Sequence, residues 1–310
     1  MNDNLNFYHK TVLINETINL LNVKESGVYV DATLGGGGLS QEILNRLGNQ
    51  GKLISIDVDQ DAIEYCKQKF NSDSRIQIFH SNFIDLDKIL DSLKINSVDG
   101  ICMDLGVSSH QIDCPERGFS YMKDAPLDMR MGKTGKSAYD VVNFTEEEKL
   151  SAIIWKYGEE KFSRLIAKSI CKSRKLKKIE TTFDLVNAIE KVIPRYKFGH
   201  SAKKTFQAIR IYVNNELENL DIALDKCIKL LNTNGRLLVL SFHSLEDRIV
   251  KQKMQFWAKK CVCPEKSPIC TCNKKQEAIL LNKKVITANE TEIENNPRSK
   301  SAKLRVCQKI

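Results

Sequence analysis

Four short apolar runs, separated by helical stretches, constrain this chain more than any other feature. They are Val28-Tyr-Val-Asp31, Lys52-Leu-Ile-Ser-Ile-Asp57, Arg75-Ile-Gln-Ile-Phe79 and Val98-Asp-Gly-Ile-Cys-Met-Asp104. Each reads as a strand, and three of them end on aspartate. Leu39 to Leu47, closed by Gly48, and Asp59 to Phe70 read as helices. Strands that alternate with helices predict βαβ units and a parallel sheet covered on both faces. The alternation stops near residue 112. Gly, Pro, Asp and Met dominate 114–136, a loop-like stretch. Thr145-Glu-Glu-Glu148 has the spacing of a capping box, and Leu150, Ile153, Ile154, Tyr157 and Leu165 carry that helix onward. Further helices are expected over Thr182 to Ile193, ended by Pro194, and over Phe206 to Val213.

The α/β pattern then resumes. Leu217, Leu220, Leu224, Ile228 and Leu231 share one helix face. Asn234-Gly235 turns the chain into a buried strand ending at Phe242, and Ser244 can cap a helix over Leu245 to Trp257. Residues 258–296 read as a polar, cysteine-bearing, loop-rich stretch, and Lys303 to Cys307 as a last edge strand. The expected fold is α/β, a doubly wound Rossmann-like sheet. A discontinuous domain of residues 1–111 and 211–310 is split by an inserted helical domain, 112–210.

Composition narrows the class. A chain of 310 residues with 42% hydrophobic and 28% charged residues can bury a core without staples. No apolar run approaches the roughly 18 residues of a membrane helix. The opening Met1 to Lys10 lacks a basic segment before an apolar one, so the expectation is a cytoplasmic protein without a secretory signal. The ten cysteines are then thiols or metal ligands rather than a disulfide framework. The net charge of +9 is unevenly spread. Residues 161–210 hold 14 basic against 3 acidic side chains, and 251–310 hold 14 against 5. Residues 1–160 hold 16 against 25. Clustered positive charge is the footprint of a polyanionic partner, and a solvated basic surface is the blander alternative.

Chemistry concentrates at the strand ends. Asp31-Ala-Thr-Leu-Gly35-Gly-Gly37-Gly-Leu-Ser40 joins a strand to a helix. Glycines there let a ligand approach the backbone at a helix start. Gly35 and Gly37 fit a dinucleotide fingerprint, but its third glycine position holds Ser40. An acid followed by G-x-G is instead the pattern of S-adenosylmethionine sites; a plain tight turn is the alternative. Asp57 can accept bonds from two ribose hydroxyls, and Phe83 can pack on adenine or in the core. Asp104 and Ser108 follow the fourth strand and His243 the fifth, so a parallel sheet gathers them at one carboxyl edge. Cys261-x-Cys263 and Cys270-x-Cys272 carry four thiols that could hold a tetrahedral zinc. Their one-residue spacing departs from the usual two, and a reduced thiol cluster is the alternative.

These residues extend into longer motifs. They are His9-x-x-Val12-Leu13, Asp31-x-Thr33-x-Gly35-x-Gly37-Gly38, Asp57-x-Asp59, Asp104-Leu-Gly-Val-Ser-Ser109 and Arg117-Gly-Phe-Ser-Tyr121. Pro126-Leu-Asp-Met-Arg-Met131, Tyr157-Gly-Glu-Glu160 and Thr205-Phe-Gln-Ala-Ile-Arg210 follow. Ser241-Phe-His-Ser-Leu-Glu-Asp-Arg248, Asn296-Pro-Arg298 and Ser301-Ala302 complete the set. Nearly end to end, the chain resembles the ribosomal small-subunit methyltransferase H, or MraW, family.

The resemblance implies a class I S-adenosylmethionine methyltransferase sheet. It implies methylation of the exocyclic N4 of one cytidine in 16S rRNA, near the decoding centre, with the small ribosomal subunit as partner. Cofactor contacts carry over to Gly35, Gly37, Gly38, Asp57, Phe83, Asp104 and Gln111. Leu39 stands where the family often has histidine, and so keeps only a backbone contact. Asp104 or a nearby carbonyl is expected to accept an amine proton, with Ser108 or His243 close by. Many amino-methyltransferases carry D/N/S-P-P-aromatic at this strand end, whereas this chain has Asp104-Leu-Gly-Val. Lys172, Arg174, Lys175, Lys177 and Lys178 are expected to grip rRNA. Two other readings stand beside this one: a nicotinamide-dependent dehydrogenase, disfavoured by Ser40 and the basic segments, and a non-catalytic RNA-binding assembly factor.

Overall fold

The computed structural model describes residues 11–193, 200–264, 269–282 and 284–310. His9, the opening segment and Pro194 lie outside them. The chain forms two compact units. Among the described residues, one draws on 11–106 and 217–310 and the other on 107–216.

The sheet-bearing unit opens with α1 (Ile14–Leu21), β1 (Val28–Asp31), α2 (Gly38–Leu44), β2 (Lys52–Asp57) and α3 (Gln60–Lys69). It continues through β3 (Ile76–His80), α4 (Leu86–Ser92) and β4 (Val98–Asp104). The second unit then supplies α5 (Ser109–Asp113), α6 (Ala138–Phe144), α7 (Glu147–Gly158), α8 (Ser163–Leu176), α9 (Thr182–Glu190) and α10 (Lys203–Asn214). Helix α11 (Glu216–Leu230) leads back to β5 (Leu231–Ser241), α12 (Ser244–Ala258), β6 (Ala278–Leu280), α13 (Glu290–Asn295) and β7 (Lys303–Lys309).

The sheet has the order β3-β2-β1-β4-β5-β7-β6. Strands β1 to β5 pair in parallel, and β7 runs antiparallel to both neighbours. This is the doubly wound, Rossmann-like fold. Alternate side chains of each strand go to opposite faces. Tyr29, Leu53, Cys102, Leu238 and Val306 pack under Leu21 of α1, Ile43 of α2 and Ile63 of α3. Val30, Ile54, Ile101 and Leu237 pack under Leu90 of α4, Leu224 of α11 and Met254 of α12. Both faces are apolar, so the strands read as near-continuous hydrophobic runs. The strand order reverses between β1 and β4, which makes the carboxyl ends of these two strands the topological switch point. Strand β7 is fastened to α12 by Asp247, which accepts Lys303 Nζ at 3.1 Å and Arg305 Nε at 2.6 Å.

In the helical unit, Asn214 at the end of α10 pins the long loop before α6. Its Oδ1 accepts Met131 N, and its Nδ2 donates to Met129 O, each at 2.8 Å. Arg210 grips Glu216 through two bonds of 2.8 and 2.9 Å. Among the described residues no helix is long and apolar enough to cross a membrane.

Several expectations are corrected. The capping box expected at Thr145 does not form: Thr145 closes α6, which opens on its own box of Ser137 and Asp140. The helix expected to run on to Leu165 stops at Gly158, because Glu159 turns left-handed at φ 49° and Leu165 is 50% exposed. A Cβ at Gly158 would stand 2.6 Å from Lys204 O, so the glycine lets α7 and α10 approach. Strand β5 begins at Leu231 rather than at Gly235, with its register against β4 shifting between Val98 and Gly100. Strand β7 is interior; the edge belongs to three-residue β6, too short to leave a periodic signal.

Gly100, in the middle of β4, permits a close approach. A Cβ there would lie 2.5 Å from Leu21 Cδ1 and 2.9 Å from the Tyr29 ring. Gly100→Ala should therefore overpack the core and lower stability by about 1–3 kcal/mol in urea unfolding. An unchanged midpoint would contradict this packing.

Candidate functional site

Aspartates at the carboxyl ends of β1, β2 and β4 build the site. Asp31 is fully buried. Its Oδ2 accepts Ser40 Oγ at 2.7 Å, its Oδ1 accepts Thr33 N at 3.3 Å, and Ser40 Oγ lies 2.9 Å from Ser55 Oγ. This acid is internal: it ties the glycine loop to β1 and α2. Asp57 braces the same loop from the next strand. Its Oδ2 accepts Gly35 N at 2.7 Å, and its Oδ1 accepts Asp59 N at 2.9 Å. Gly35 and Gly37 stand at φ +48° and +70°, where side chains are disfavoured, and a Cβ on Gly37 would strike Phe70 at 2.7 Å. Lys69 of α3 reaches Gly36 O at 3.2 Å and Gly37 O at 3.4 Å. The carbonyls of the loop thus face a cation, and a carboxylate holds its Gly35 amide.

Asp104 differs from both. Its backbone N donates to Thr33 Oγ1 at 2.6 Å, which fixes the strand end. Its Oδ1 is buried and has no hydrogen-bond partner. A shielded carboxylate oxygen without a donor is costly, and a ligand or a water that donates to it would remove that cost. Burial, then Asp31, then Glu246 push the Asp104 pKa up to about 7. Burial likewise raises Asp31 and Asp57 to about 6 each, in both cases against hydrogen bonds that lower it. The rim is therefore a set of acids that keep their protons closer to neutral pH than free carboxylates do.

Glu246 and His243 close the fifth strand's loop. His243, not Ser244, caps α12: its Nδ1 accepts Glu246 N at 3.4 Å. Glu246 Oε2 accepts Phe242 N at 2.9 Å and His243 N at 3.2 Å, and Glu246 Oε1 lies 3.1 Å from His243 Nε2. Glu246 is buried, and the sequence reading overlooked it. Its place in the Ser241 to Arg248 motif and the capping-box spacing from His243 were its signals.

The other expected residues fall as follows. Gly38 starts α2, where a Cβ would clash with Thr11. The Leu39 side chain belongs to the apolar cluster under the sheet, which leaves only its backbone for a ligand. Phe83 opens the turn after β3, half-buried against the opposite cluster. Ser108 and Gln111 lie in the helical unit. They cap α5 reciprocally, Ser108 N donating to Gln111 Oε1 at 3.0 Å and Gln111 N to Ser108 Oγ at 3.2 Å. Cys261, Cys263, Cys270 and Cys272 converge in the loop between α12 and β6.

The basic group of the helical unit is more ordered than its sequence suggested. Arg164, Lys168, Lys172 and Lys175 recur at helical spacing along the exposed face of α8, opposite buried Ile166, Ala167 and Ile170. Arg174 instead turns inward to Val142 O at 2.7 Å. Lys178 lies 4.6 Å over the ring of Phe144, which is 63% exposed. Lys172, Lys175 and Lys177 are exposed.

The sequence profile described as the MraW methylase family matches residues 6–310. Ribosomal RNA small subunit methyltransferase H of Clostridium botulinum (strain Kyoto / Type A2) is 54% identical over 310 residues, 99% of this chain and 100% of that protein. The protein of the same name from Caldicellulosiruptor saccharolyticus is 52% identical over 306 residues, 98% of this chain and 100% of its own. Among solved structures, an rRNA methylase from Streptococcus thermophilus aligns with a TM-score of 0.43 at 10% identity, over 97% of this chain and 98% of that one.

The raised acids set a pH dependence of stability. An acid whose folded pKa exceeds its ordinary value favours the fold in its neutral form. That advantage is complete below pH about 4 and is lost as pH rises through about 7 for Asp104. Asp104→Asn should therefore stabilise the ligand-free chain by about 1–3 kcal/mol near pH 8, with the gain shrinking toward pH 4. Urea unfolding across that range reads it, and a gain independent of pH would contradict the assignment.

Proposed function

This chain belongs to the MraW methylase family, and on that premise we propose that it transfers a methyl group from S-adenosylmethionine to the exocyclic N4 of one cytidine in small-subunit rRNA. The observation that carries the reading is the buried, partnerless Oδ1 of Asp104 at the switch point of the sheet. It fits a positively charged cofactor and an amine substrate, both of which bring donors to an acid. It does not suit a nicotinamide dinucleotide. Its fingerprint would ask for a glycine at position 40, where Ser40 instead donates to Asp31 Oδ2.

The residues fit the cofactor in detail. A carboxylate offers about four acceptor sites, and the two backbone bonds of Asp57 leave room for a ribose diol. Gly35, Gly37 and Gly38 allow close approach, the Leu39 backbone follows at the helix start, and half-buried Phe83 offers a ring to adenine. When bound, S-adenosylmethionine supplies a methyl group already activated on a sulfonium.

The chain's own task is to prepare the amine. The lone pair of a cytosine amine is drawn into its ring, so it is a poor nucleophile. With the cofactor held there, N4 would take the methyl from the sulfonium, the thioether would leave, and N4 would give up a proton. Asp104 Oδ1 would accept that proton, and a pKa raised to about 7 suits an acceptor working near neutral pH. Ser108 and Gln111 are engaged in capping α5, and His243 positions Glu246 rather than acting on the base. Holding amine and methyl in line contributes several kcal/mol more.

The relatives support the substrate, being named for small-subunit rRNA. The surface of the helical unit is compatible with it. The α8 stripe offers four spaced cations to a phosphate backbone. Exposed Phe144 and Trp155, the latter 59% exposed, offer rings for stacking. The base must leave its stack to react, and a grip on the flanking backbone holds the extruded form. A protein with this substrate works in the cytoplasm, on 16S rRNA within the small subunit.

Single-turnover methylation of small subunits at saturating cofactor should fall by about 10²-fold or more in Asp104→Asn. Mapping should place the wild-type product on N4 of a single cytidine. A near-normal rate in the variant would remove Asp104 from the chemistry, and a product elsewhere would overturn the N4 assignment. Replacing Arg164, Lys168, Lys172 and Lys175 with alanine should flatten the plot of log affinity against log salt by roughly 0.7 per lost contact. An unchanged slope would show that α8 does not touch the backbone.

A further inference from the structure

We propose that Cys261, Cys263, Cys270 and Cys272 form a four-thiolate site for a zinc ion that staples the loop between α12 and β6. The sulfur atoms already stand at the corners such an ion requires. Cys261 Sγ lies 3.5 Å from Cys270 Sγ and 3.7 Å from Cys272 Sγ. Cys270 Sγ lies 3.9 Å from Cys263 Sγ and 3.5 Å from Cys272 Sγ. All four fall within 4.8 Å of one another. A tetrahedron with zinc–sulfur bonds of about 2.3 Å has edges of about 3.8 Å. Bonded disulfide sulfurs would stand at about 2.05 Å. The spacing is that of ligands around a common centre, not of two bridges.

The backbone supports the same assignment. The two C-x-C arms face each other, and each middle residue donates its amide across to the other arm. Val262 N reaches Cys272 Sγ, and Thr271 N reaches Cys263 Sγ, both at 3.4 Å. Cys263 N reaches Cys261 Sγ at the same distance. Amides aimed at sulfur stabilise the thiolate form and fix its direction, as outer-shell donors do around metal ligands. Four soft thiolates in a tetrahedral set select zinc over hard cations.

Location excludes a packing role. Cys66, Cys102, Cys227 and Cys307 are buried in the core, whereas Cys261 and Cys270 are exposed and Cys263 and Cys272 half-exposed. A cysteine kept as a small apolar side chain belongs inside. Between Ala258 and Ala278 the described residues form neither helix nor strand. A stretch of that length without its own secondary structure needs a clip. Its ends are already drawn together, Glu277 N donating to Trp257 O at 2.8 Å and Lys274 Nζ lying 4.8 Å over the Phe256 ring. Four thiolates around a divalent ion leave two negative charges, and the sequence on either side is basic, with Lys259, Lys260, Lys274 and Lys275.

The test is metal analysis of the full chain purified under reducing conditions. The site predicts one zinc per chain, lost in the Cys261→Ser/Cys270→Ser double variant and retained in Cys114→Ser. Cobalt(II) added to chelator-stripped protein should give the absorption of a tetrahedral tetrathiolate. A variant that fails to fold leaves a second readout on the unaltered chain. With metal retained, these four thiols should resist alkylation in peptide mass spectrometry, and they should react after chelation. Reduced protein that neither retains zinc nor gives the cobalt spectrum would overturn the site. So would zinc retained by the folded double variant, or alkylation unaffected by chelation. None of these readouts depends on the methyl-transfer reading.

Discussion

The structure depends on three acids gathered at the carboxyl edge of a parallel sheet, Asp31 buried and Asp57 and Asp104 half-buried. An isolated buried acid is expensive and neutralises unless something binds it. This chain spends hydrogen bonds on two of its three. Asp31 is tied to Ser40 and Thr33, and Asp57 to the amides of Gly35 and Asp59. Those bonds shape the glycine loop. The third, Asp104, keeps an Oδ1 without a hydrogen-bond partner among the described residues, at a cost in stability.

The fold places that acceptor by topology alone. Parallel strands deliver every chain end to one edge, and the order reverses between β1 and β4, where Asp31 and Asp104 emerge. Two apolar faces, each covered by helices, keep the strands rigid enough for the edge to be a fixed rim. The cations of the inserted unit sit on an exposed helix face, while its interior is closed by Asn214, Arg210 and Glu216.

Much of the sheet was legible because its strands are short, β-branched and closed by acids. The four runs from Val28 to Asp104 became β1 to β4 within a residue of their expected bounds. What escaped was settled by competition between neighbours. Thr145 has a capping-box pattern, but Ser137 starts a helix upstream and Thr145 ends it. Ser244 outranks histidine as a cap, yet its partner at the third position, Asp247, is claimed by Lys303 and Arg305 across the sheet. His243 takes the cap with Glu246 instead. Of the site, the glycine loop and the strand-end acids could be read from residues. The Asp104 environment could not, because the acids that raise it come from β1 and from the start of α12, far apart in sequence. The α8 stripe was masked by the denser lysines after it.

Calorimetric titration of the intact chain with S-adenosylmethionine, from about pH 5.5 to about pH 8.5, tests the central claim most directly. If ionised acids at the rim hold a cationic cofactor, affinity climbs as Asp57 and Asp104 lose their protons, and Asp104→Asn flattens the climb. Affinity that ignores pH in both proteins, or equal affinity for a nicotinamide dinucleotide, would contradict the account.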